Sequence, residues 1–332
     1  MNKILFWFRN TRPHALPQSV MPAIVAFCMA AGSTDFSCWL GALAIVGVAL
    51  AHSSLNLFDD YFDWRVKKSD YRNELQHKGF RARISKCPYL TSGRATLQQL
   101  LAACLIVGGL ALFFGIIILY FRGLTIFWIA LTAAILGIEY SGAPLRLSYR
   151  GLGELVIGLM FGPLSMAGVY YSACGQLDWA VLFVSVPVGL LVVNIIYVHS
   201  IMDCDPDKAV GKMTFAGLLG NKTAMLAALL ALLVISYGSI IAGVILSYLS
   251  VYNLFVLLTL PLACNLFYLV RQFVVNPDRK FEPKWWFGPF GSFRRFEAAG
   301  IEWFMLRWLL ARNLLAFFCV IIIIVVLLQR FI

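Results

Sequence analysis

Nine runs of apolar residues alternate with polar segments along the chain, at roughly 15–33, 37–58, 97–121, 123–140, 152–173, 179–202, 222–248, 250–275 and 309–331. About twenty apolar residues are what an α-helix needs to cross the hydrocarbon core of a bilayer. The pattern therefore predicts an all-α, polytopic membrane protein. Its expected form is one domain, 1–332, in which nine transmembrane helices bundle around a central cavity open to the cytoplasm. Helical bundles build polar sites from side chains on facing helices. Two longer polar segments, 64–96 and 276–308, interrupt the pattern.

Composition agrees with that reading. The chain is 61% hydrophobic and 13% charged, with a mean hydropathy of +0.82. A soluble domain is about half apolar and a quarter charged. The opening MNKILFWFRNTRPHALPQ is basic but lacks an uninterrupted apolar stretch and a small-residue cleavage site, so no signal peptide is expected there. The eight cysteines are scattered without a CxxC pair and are expected to act as small buried hydrophobes.

The net charge of +11 could suggest nucleic acid, but its distribution points to a membrane. Lys and Arg crowd the N-terminus and the even-numbered loops. They include Lys3, Arg9 and Arg12, the run from Arg65 to Arg94, Arg146 and Arg150, Lys208, Lys212 and Lys222, and Arg279 to Arg307. The opposite side holds Arg122 and Arg330, while Arg271 and Arg312 sit at helix ends. Positive charge stays inside. The N-terminus and the even loops are thus expected on the cytoplasmic side of a cell (inner) membrane. Part of this charge can serve anionic lipid headgroups or an anionic substrate. No nucleic-acid partner is expected.

The carboxylates are scarcer and more telling. Of sixteen, three lie in SLNLFDDYFDW as Asp59, Asp60 and Asp63, and three in HSIMDCDPDKAVGK as Asp203, Asp205 and Asp207. Each cluster ends a span, the second and the sixth, so both face the cytoplasm. Asp59 and Asp63 are one helical turn apart on one face, as are Asn56 with Asp60 and Asp203 with Asp207. Stacked carboxylates repel, and more strongly beside a low-dielectric core. Helix C-termini also disfavour negative charge. A solvated acidic cap would carry all these penalties, whereas a bound cation removes them. Hard oxygen donors with room for water and phosphate suit Mg2+. Cationic partners for a diphosphate on the same face are Arg94, Arg146 and Lys212. Glu154 opens the fifth span, as a helix N-terminal acid or an acceptor-site group, and Glu139 is a weaker candidate. His199 lies one turn before Asp203. Together with His14 it could position or deprotonate an acceptor hydroxyl.

These segments, in this order, resemble the UbiA superfamily of intramembrane prenyltransferases. TRPHALPQSVMPAIVA (11–26) resembles its opening Arg-Pro segment, NLFDDYFD (56–63) its first Asp motif, and YLTSGRATLQQ (89–99) the stretch before its third helix. DCDPDKAVGKMTFAGLLG (203–220) resembles its second Asp motif, and YRGLGELVIGLMFGPL (149–164) is similar to the branch that prenylates 1,4-dihydroxy-2-naphthoate for menaquinone. The resemblance implies metal and diphosphate roles for Asp60, Asp63, Asp203 and Asp207. Asp59 stands where the family usually has Asn. Either Asn56, a turn earlier, supplies the amide, or Asp59 ligates metal directly. His199, Ser200, Ile201 and Met202 replace the Asn-Asn and Arg often found in the naphthoate branch.

The implied reaction is Mg2+-dependent transfer of a polyprenyl group from its diphosphate to an aromatic acceptor, most simply dihydroxynaphthoate with loss of its carboxylate. Metal would neutralise the leaving diphosphate, and Arg and Lys would stabilise its developing charge. Aromatic faces could stabilise the allylic cation. Phe58, Tyr61, Phe62, Tyr140, Phe161 and Tyr197 are candidates. Hydroxybenzoate, chlorophyll-type, haem-type and glycerol-phosphate acceptors stay open. A transporter is the main alternative from another class, but transporter carboxylates sit near the midplane rather than at one interface. The signature of a CDP-alcohol phosphotransferase is absent. The basic 64–96 segment could form a lid over the diphosphate or lie on headgroups. The Trp- and Phe-rich 276–308 segment is expected to pack on the membrane surface, with an amphipathic helix from Phe293.

Overall fold

A computed structural model of the chain describes residues 3–65, 87–209, 211–291 and 293–330. Its described residues are mostly helical, with one isolated bridge between Arg150 and Met213. Among the described residues nine apolar helices follow the hydropathy pattern: α1 (Pro17–Ala30), α2 (Cys38–Arg65), α3 (Leu97–Arg122), α4 (Leu124–Ser141), α5 (Gly153–Cys174), α6 (Trp179–Met202), α7 (Lys222–Ile245), α8 (Val251–Val275) and α9 (Glu302–Leu328). Eight are long and apolar enough to cross a membrane. The first expected span appears as a helix of 14 residues, opened by Pro17 and stopped by the turn after Ala30. Proline is well placed in a first turn, where its missing N–H is not needed.

The most buried span is α6, which packs against α1, α5, α7 and α9. It reads WAVLFVSVPVGLLVVNIIYVHSIM, apolar around its whole circumference, the pattern of a helix with no lipid-facing side. α5 and α6 approach closely. Gly158 and Gly162 on α5 stand four apart, the small-xxx-small spacing that lets membrane helices touch backbone to backbone. A Cβ on Gly162 would lie 2.5 Å from the Gly189 Cα and 2.6 Å from the Ser185 carbonyl oxygen. Within α5 the segment Met160–Leu164 is π-helical around Pro163. Such bulges accommodate a missing donor and recur at functional sites.

The two cations on the sparsely charged side are both spent on helix ends. Arg122 donates to the carbonyls of Ser172 (2.9 Å) and Ala173 (2.8 Å) at the end of α5, and Arg330 to Cys28 O (2.6 Å) near the end of α1. Cations there complement the helix dipole.

Two expectations about the longer polar segments are corrected or bounded. The last span starts at Glu302 rather than 309, which takes Arg307 out of the loop. Arg307 is 1% exposed, donates to Leu269 O (2.9 Å) and Trp303 O, and lies over the rings of Phe273 (5.2 Å) and Phe281 (6.0 Å). It ties α8 to α9 instead of adding to loop charge. The stretch around Phe287 and Pro289 in the aromatic segment before it is tied to α9. Asn313 donates to Phe287 O (3.0 Å) and Pro289 O (3.2 Å), and Arg312 to Pro289 O (3.1 Å). The Trp285 side chain remains 92% exposed, and the expected helix spans Phe293–Ala298. The proposed lid at 64–96 falls largely on 66–86, outside the described residues.

Gly162→Leu is expected to lower the melting temperature of the detergent-solubilised protein, because overpacking a tight contact costs about 1–3 kcal/mol. Gly109→Ala, with nothing within 4 Å of its added Cβ, should leave melting unchanged or raise it. Equal melting of Gly162→Leu and wild type would disprove the close α5–α6 contact.

Candidate active site

At one end of the bundle α2 and α6 finish with their carboxylates turned inward. Asp60 is 3% exposed, Asp63 2%, Asp203 1% and Asp207 3%. Burying charges this way demands partners, and every one of them has neighbours. The N-terminal segment supplies the first. Arg12 takes the left-handed conformation, φ 59°, just before Pro13, and its guanidinium reaches Asp59 Oδ2 (3.2 Å) and Asp60 Oδ1. The Asn56 amide donates to Thr11 O (2.9 Å) and fixes that turn against α2. Burial opposes the Arg12 charge, but Asp60 and then Asp59 outweigh it, and the guanidinium pKa is raised.

Hydroxyls complete the cluster. Tyr89, on the short helix Pro88–Thr91, donates to Asp60 Oδ2 (2.9 Å), and Ser141 at the end of α4 donates to Asp59 Oδ1 (2.7 Å). Burial and the Asp60 charge raise the Tyr89 pKa, so the phenol stays a donor. Tyr149, in the loop between α4 and α5, donates to Asp63 Oδ1.

That same tyrosine joins the two clusters. The Lys212 Nζ lies 5.9 Å from its ring centroid, and the Lys212 amide donates to Asp207 O (2.8 Å). The Gly151 amide, donating to Met213 O (2.7 Å), holds the two loops together. His199 Nε2 contacts Asp203 Oδ2 at 3.0 Å. Tyr140 packs on Gly153, whose Cβ would stand 3.3 Å from the ring, and lies within the field of Asp59, Glu154 and Asp207.

The arrangement gathers Asp59, Asp60, Asp63, Asp203, Asp207, Lys212, His199 and Tyr140 at one end of the bundle. Other candidates are placed differently. Glu154, 3% exposed, accepts from Ser200 Oγ (2.7 Å) and the Phe215 amide (3.1 Å), which makes it a brace between α5, α6 and the short helix Phe215–Leu219. Arg94 is exposed and lines a shallow surface hollow with Phe6, Arg9 and Tyr89. Arg146 is exposed in the loop after α4, and Asp205 is exposed as well. Glu139 accepts the Leu145 amide (2.8 Å) and shapes that loop. His14 faces Trp308, with its pKa lowered by burial, then by Arg12 and Arg312. Tyr197 donates to Met225 O (3.0 Å), a packing role. Sequence reasoning passed over Arg12, Tyr89 and Tyr149 as individuals, although each sits inside a segment the resemblance had marked.

Among the described residues no three His, Cys, Asp or Glu side chains converge on a common point for a metal ion. The donor chemistry nevertheless fits Mg2+. The ion characteristically takes one or two carboxylates and completes its shell with water and substrate phosphate. Two buried, hard-oxygen clusters, each next to a cation, match that division. Asp60, Asp63, Asp203 and Asp207 are the residues that would hold it, with Asp59 beside them.

Comparison with known proteins places this geometry in context. A sequence profile of the UbiA prenyltransferase family matches residues 19–293. A Synechocystis 2-carboxy-1,4-naphthoquinone phytyltransferase is 29% identical over 82% of this chain and 85% of its own. A Bacillus subtilis 1,4-dihydroxy-2-naphthoate octaprenyltransferase is 26% identical over 68% of each. Among solved structures, a digeranylgeranylglyceryl phosphate synthase superposes with a TM-score of 0.63 at 16% identity, covering 97% of this chain and 99% of that one. A UbiA homologue from Archaeoglobus fulgidus, bound to GPP and Mg2+, gives 0.59 at 16% identity over 96% and 99%. At these identities the structures share the fold.

Arg12→Gln removes the counter-charge of Asp60. Breaking a buried pair costs about 3–5 kcal/mol, and less is expected here because the Arg12 side chain is 33% exposed. The variant should melt several degrees below wild type in EDTA and recover in millimolar Mg2+. Unchanged melting in EDTA would refute the neutralising role of the guanidinium.

Proposed function

The chain belongs to the UbiA prenyltransferase family, and on that footing we propose that it transfers a polyprenyl group from polyprenyl diphosphate to 1,4-dihydroxy-2-naphthoate, a step of menaquinone formation. It is a multi-pass membrane enzyme. The proposed orientation puts the carboxylate end at the cytoplasmic face of a cell membrane. The observation that carries the chemistry is the pair of buried carboxylate clusters joined through Tyr149 and Lys212. The acceptor rests on the naphthoate-named relatives and on the segment from Tyr149 to Leu164.

Each polar residue has a task in this reading. Mg2+, when bound by the two clusters, supplies Lewis-acid neutralisation of the diphosphate. Tyr89 and Tyr149 donate to Asp60 and Asp63, and His199 contacts Asp203, so the carboxylates are held in place before substrate arrives. Preorganised groups of this kind need no rearrangement at the moment of reaction. Arg12, paired with Asp59 and Asp60, and Lys212, over the Tyr149 ring, meet the charge that develops on the departing diphosphate in this reading. The allylic C–O bond breaks with its electron pair leaving on the diphosphate. The electron-rich ring of the acceptor attacks the allylic carbon, and the ring carboxylate is lost as CO2. The apolar helices below the clusters receive the prenyl tail and keep water from capturing the cation.

The substitution of His199, Ser200, Ile201 and Met202 for the usual polar residues of the naphthoate branch favours keeping a second acceptor in view. 4-Hydroxybenzoate would use the same diphosphate chemistry.

Purified protein in lipid, given Mg2+, a polyprenyl diphosphate and dihydroxynaphthoate, is expected to release diphosphate and form a prenylated, decarboxylated naphthol. EDTA, Asp63→Asn and Asp203→Asn should each reduce the rate by at least about a hundredfold, the scale on which mutagenesis removes one electrostatic group of this kind. Turnover with hydroxybenzoate alone would replace the acceptor. Full activity of both Asn variants would discard the carboxylate mechanism.

A further inference from the structure

Below the carboxylates, inside the membrane, lies a polar pair that the chemistry above does not use. His52 on α2 is 6% exposed, and Ser19 on α1 is fully buried. Positions 52, 56, 59 and 63 follow one helical stripe. His52 therefore lies on the same side of α2 as Asn56, Asp59 and Asp63, about 10 Å deeper than Asp59 at 1.5 Å per residue. Ionisable residues at such depth are costly to keep and usually functional.

The hydrogen bonds fix how the imidazole is presented. Ser19 Oγ lies 2.7 Å from His52 Nδ1 and 3.1 Å from Leu16 O. The hydroxyl has one proton. Assigned to the Leu16 carbonyl, as the 3.1 Å contact allows, it leaves Oγ as an acceptor and Nδ1 carrying the ring proton. In this tautomer Nε2 is a bare lone pair. Among the described residues it has no protein partner, and it is not one of the sealed, orphaned polar atoms of the structure. One ring nitrogen is tethered, and the other is left without a hydrogen bond among the described residues.

Phe161 forms a wall beside it, with ring centroids 4.6 Å apart and planes 45° to each other. Phe161 belongs to the π-helical stretch Met160–Leu164, which the tight Gly162–Gly189 contact clamps against α6. The imidazole and the phenyl ring are thus held by different helices around one place.

We propose that His52 recognises a ring hydroxyl of the aromatic acceptor, its Nε2 accepting the hydrogen bond while Phe161 packs on the acceptor ring. The inference rests on the aromatic-acceptor reading above and assigns the residue that orients the ring. A prenyl tail has no donor for a bare lone pair. A phenol has both the donor and the flat apolar face that this corner requires. A hydrogen bond from the hydroxyl to Nε2 also pushes electron density from the oxygen into the ring that attacks.

The test uses full-length protein in lipid with Mg2+, a polyprenyl diphosphate, and whichever phenolic acceptor wild type turns over, together with the mono-O-methyl ethers of that acceptor. His52→Phe keeps ring volume and removes the lone pair, and His52→Gln restores an acceptor atom near Nε2. His52→Phe is expected to raise the acceptor KM on the order of tenfold, the scale of one lost hydrogen bond, with the diphosphate KM unchanged and with recovery in His52→Gln. One methyl ether should be discriminated against by wild type and not by His52→Phe. Equal discrimination by both proteins, or a change in the diphosphate KM alone, would overturn the assignment. Wild type that refuses naphthoate but uses another phenol sinks the proposed acceptor and leaves this comparison intact, whereas wild type that uses no phenol overturns both.

Discussion

Five carboxylates held at the edge of a low-dielectric slab set the terms for this end of the molecule. Unpaired, they would repel one another and oppose the negative ends of α2 and α6. The fold answers by bringing distant segments to them. Arg12 comes from the N-terminal segment, Tyr89 from the stretch before α3, Ser141 from the end of α4, Tyr149 from the α4–α5 loop, and Lys212 from the loop after α6. Each donor lies on a different segment. The clusters therefore act as the fastening of the bundle at this end as well as its reactive feature.

Rigidity beneath the clusters comes from apolar contacts. α6 packs against four other apolar helices, and the Gly158–Gly162 face of α5 meets it backbone to backbone. Helices that touch this closely cannot slide without clashes, so His199 and Asp203 at the end of α6 keep a fixed relation to Phe161 on α5. The π-helical turn at Met160–Leu164 is the compensation for Pro163 within that contact. Phe161 within this turn lies against His52.

Hydropathy made most of the architecture legible, because spans longer than a bilayer's hydrocarbon core leave few alternatives. The i,i+4 spacing of the Asp residues likewise announced their shared face. What stayed hidden depends on tertiary contact. Arg12 reads as one more cytoplasmic cation until the left-handed turn directs it at Asp60. Arg307 reads as loop charge until α9 is seen to begin at Glu302 and to bury it beneath Phe273 and Phe281. Glu154 fits the N-terminal acid of a helix by sequence, yet its carboxylate serves Ser200 and the Phe215 amide, partners 46 and 61 residues away. His52 sits in an apolar run, where a lone histidine carries no pattern of its own.

The departure at position 59 shows how a local charge change is absorbed. Where the family usually has an amide, this chain has a carboxylate, and the sequence left open whether Asn56 takes over that amide's task. The Asn56 nitrogen is engaged by Thr11 O, 2.9 Å away, and so serves the turn that carries Arg12. Asp59 in turn receives Arg12 and Ser141, at 3.2 and 2.7 Å. The extra negative charge and the device that neutralises it are thus coupled: Asn56 holds the turn, the turn presents Arg12, and Arg12 spans Asp59 and Asp60. A carboxylate at position 59 is tolerable here because its counter-charge is delivered by the residue one turn before it.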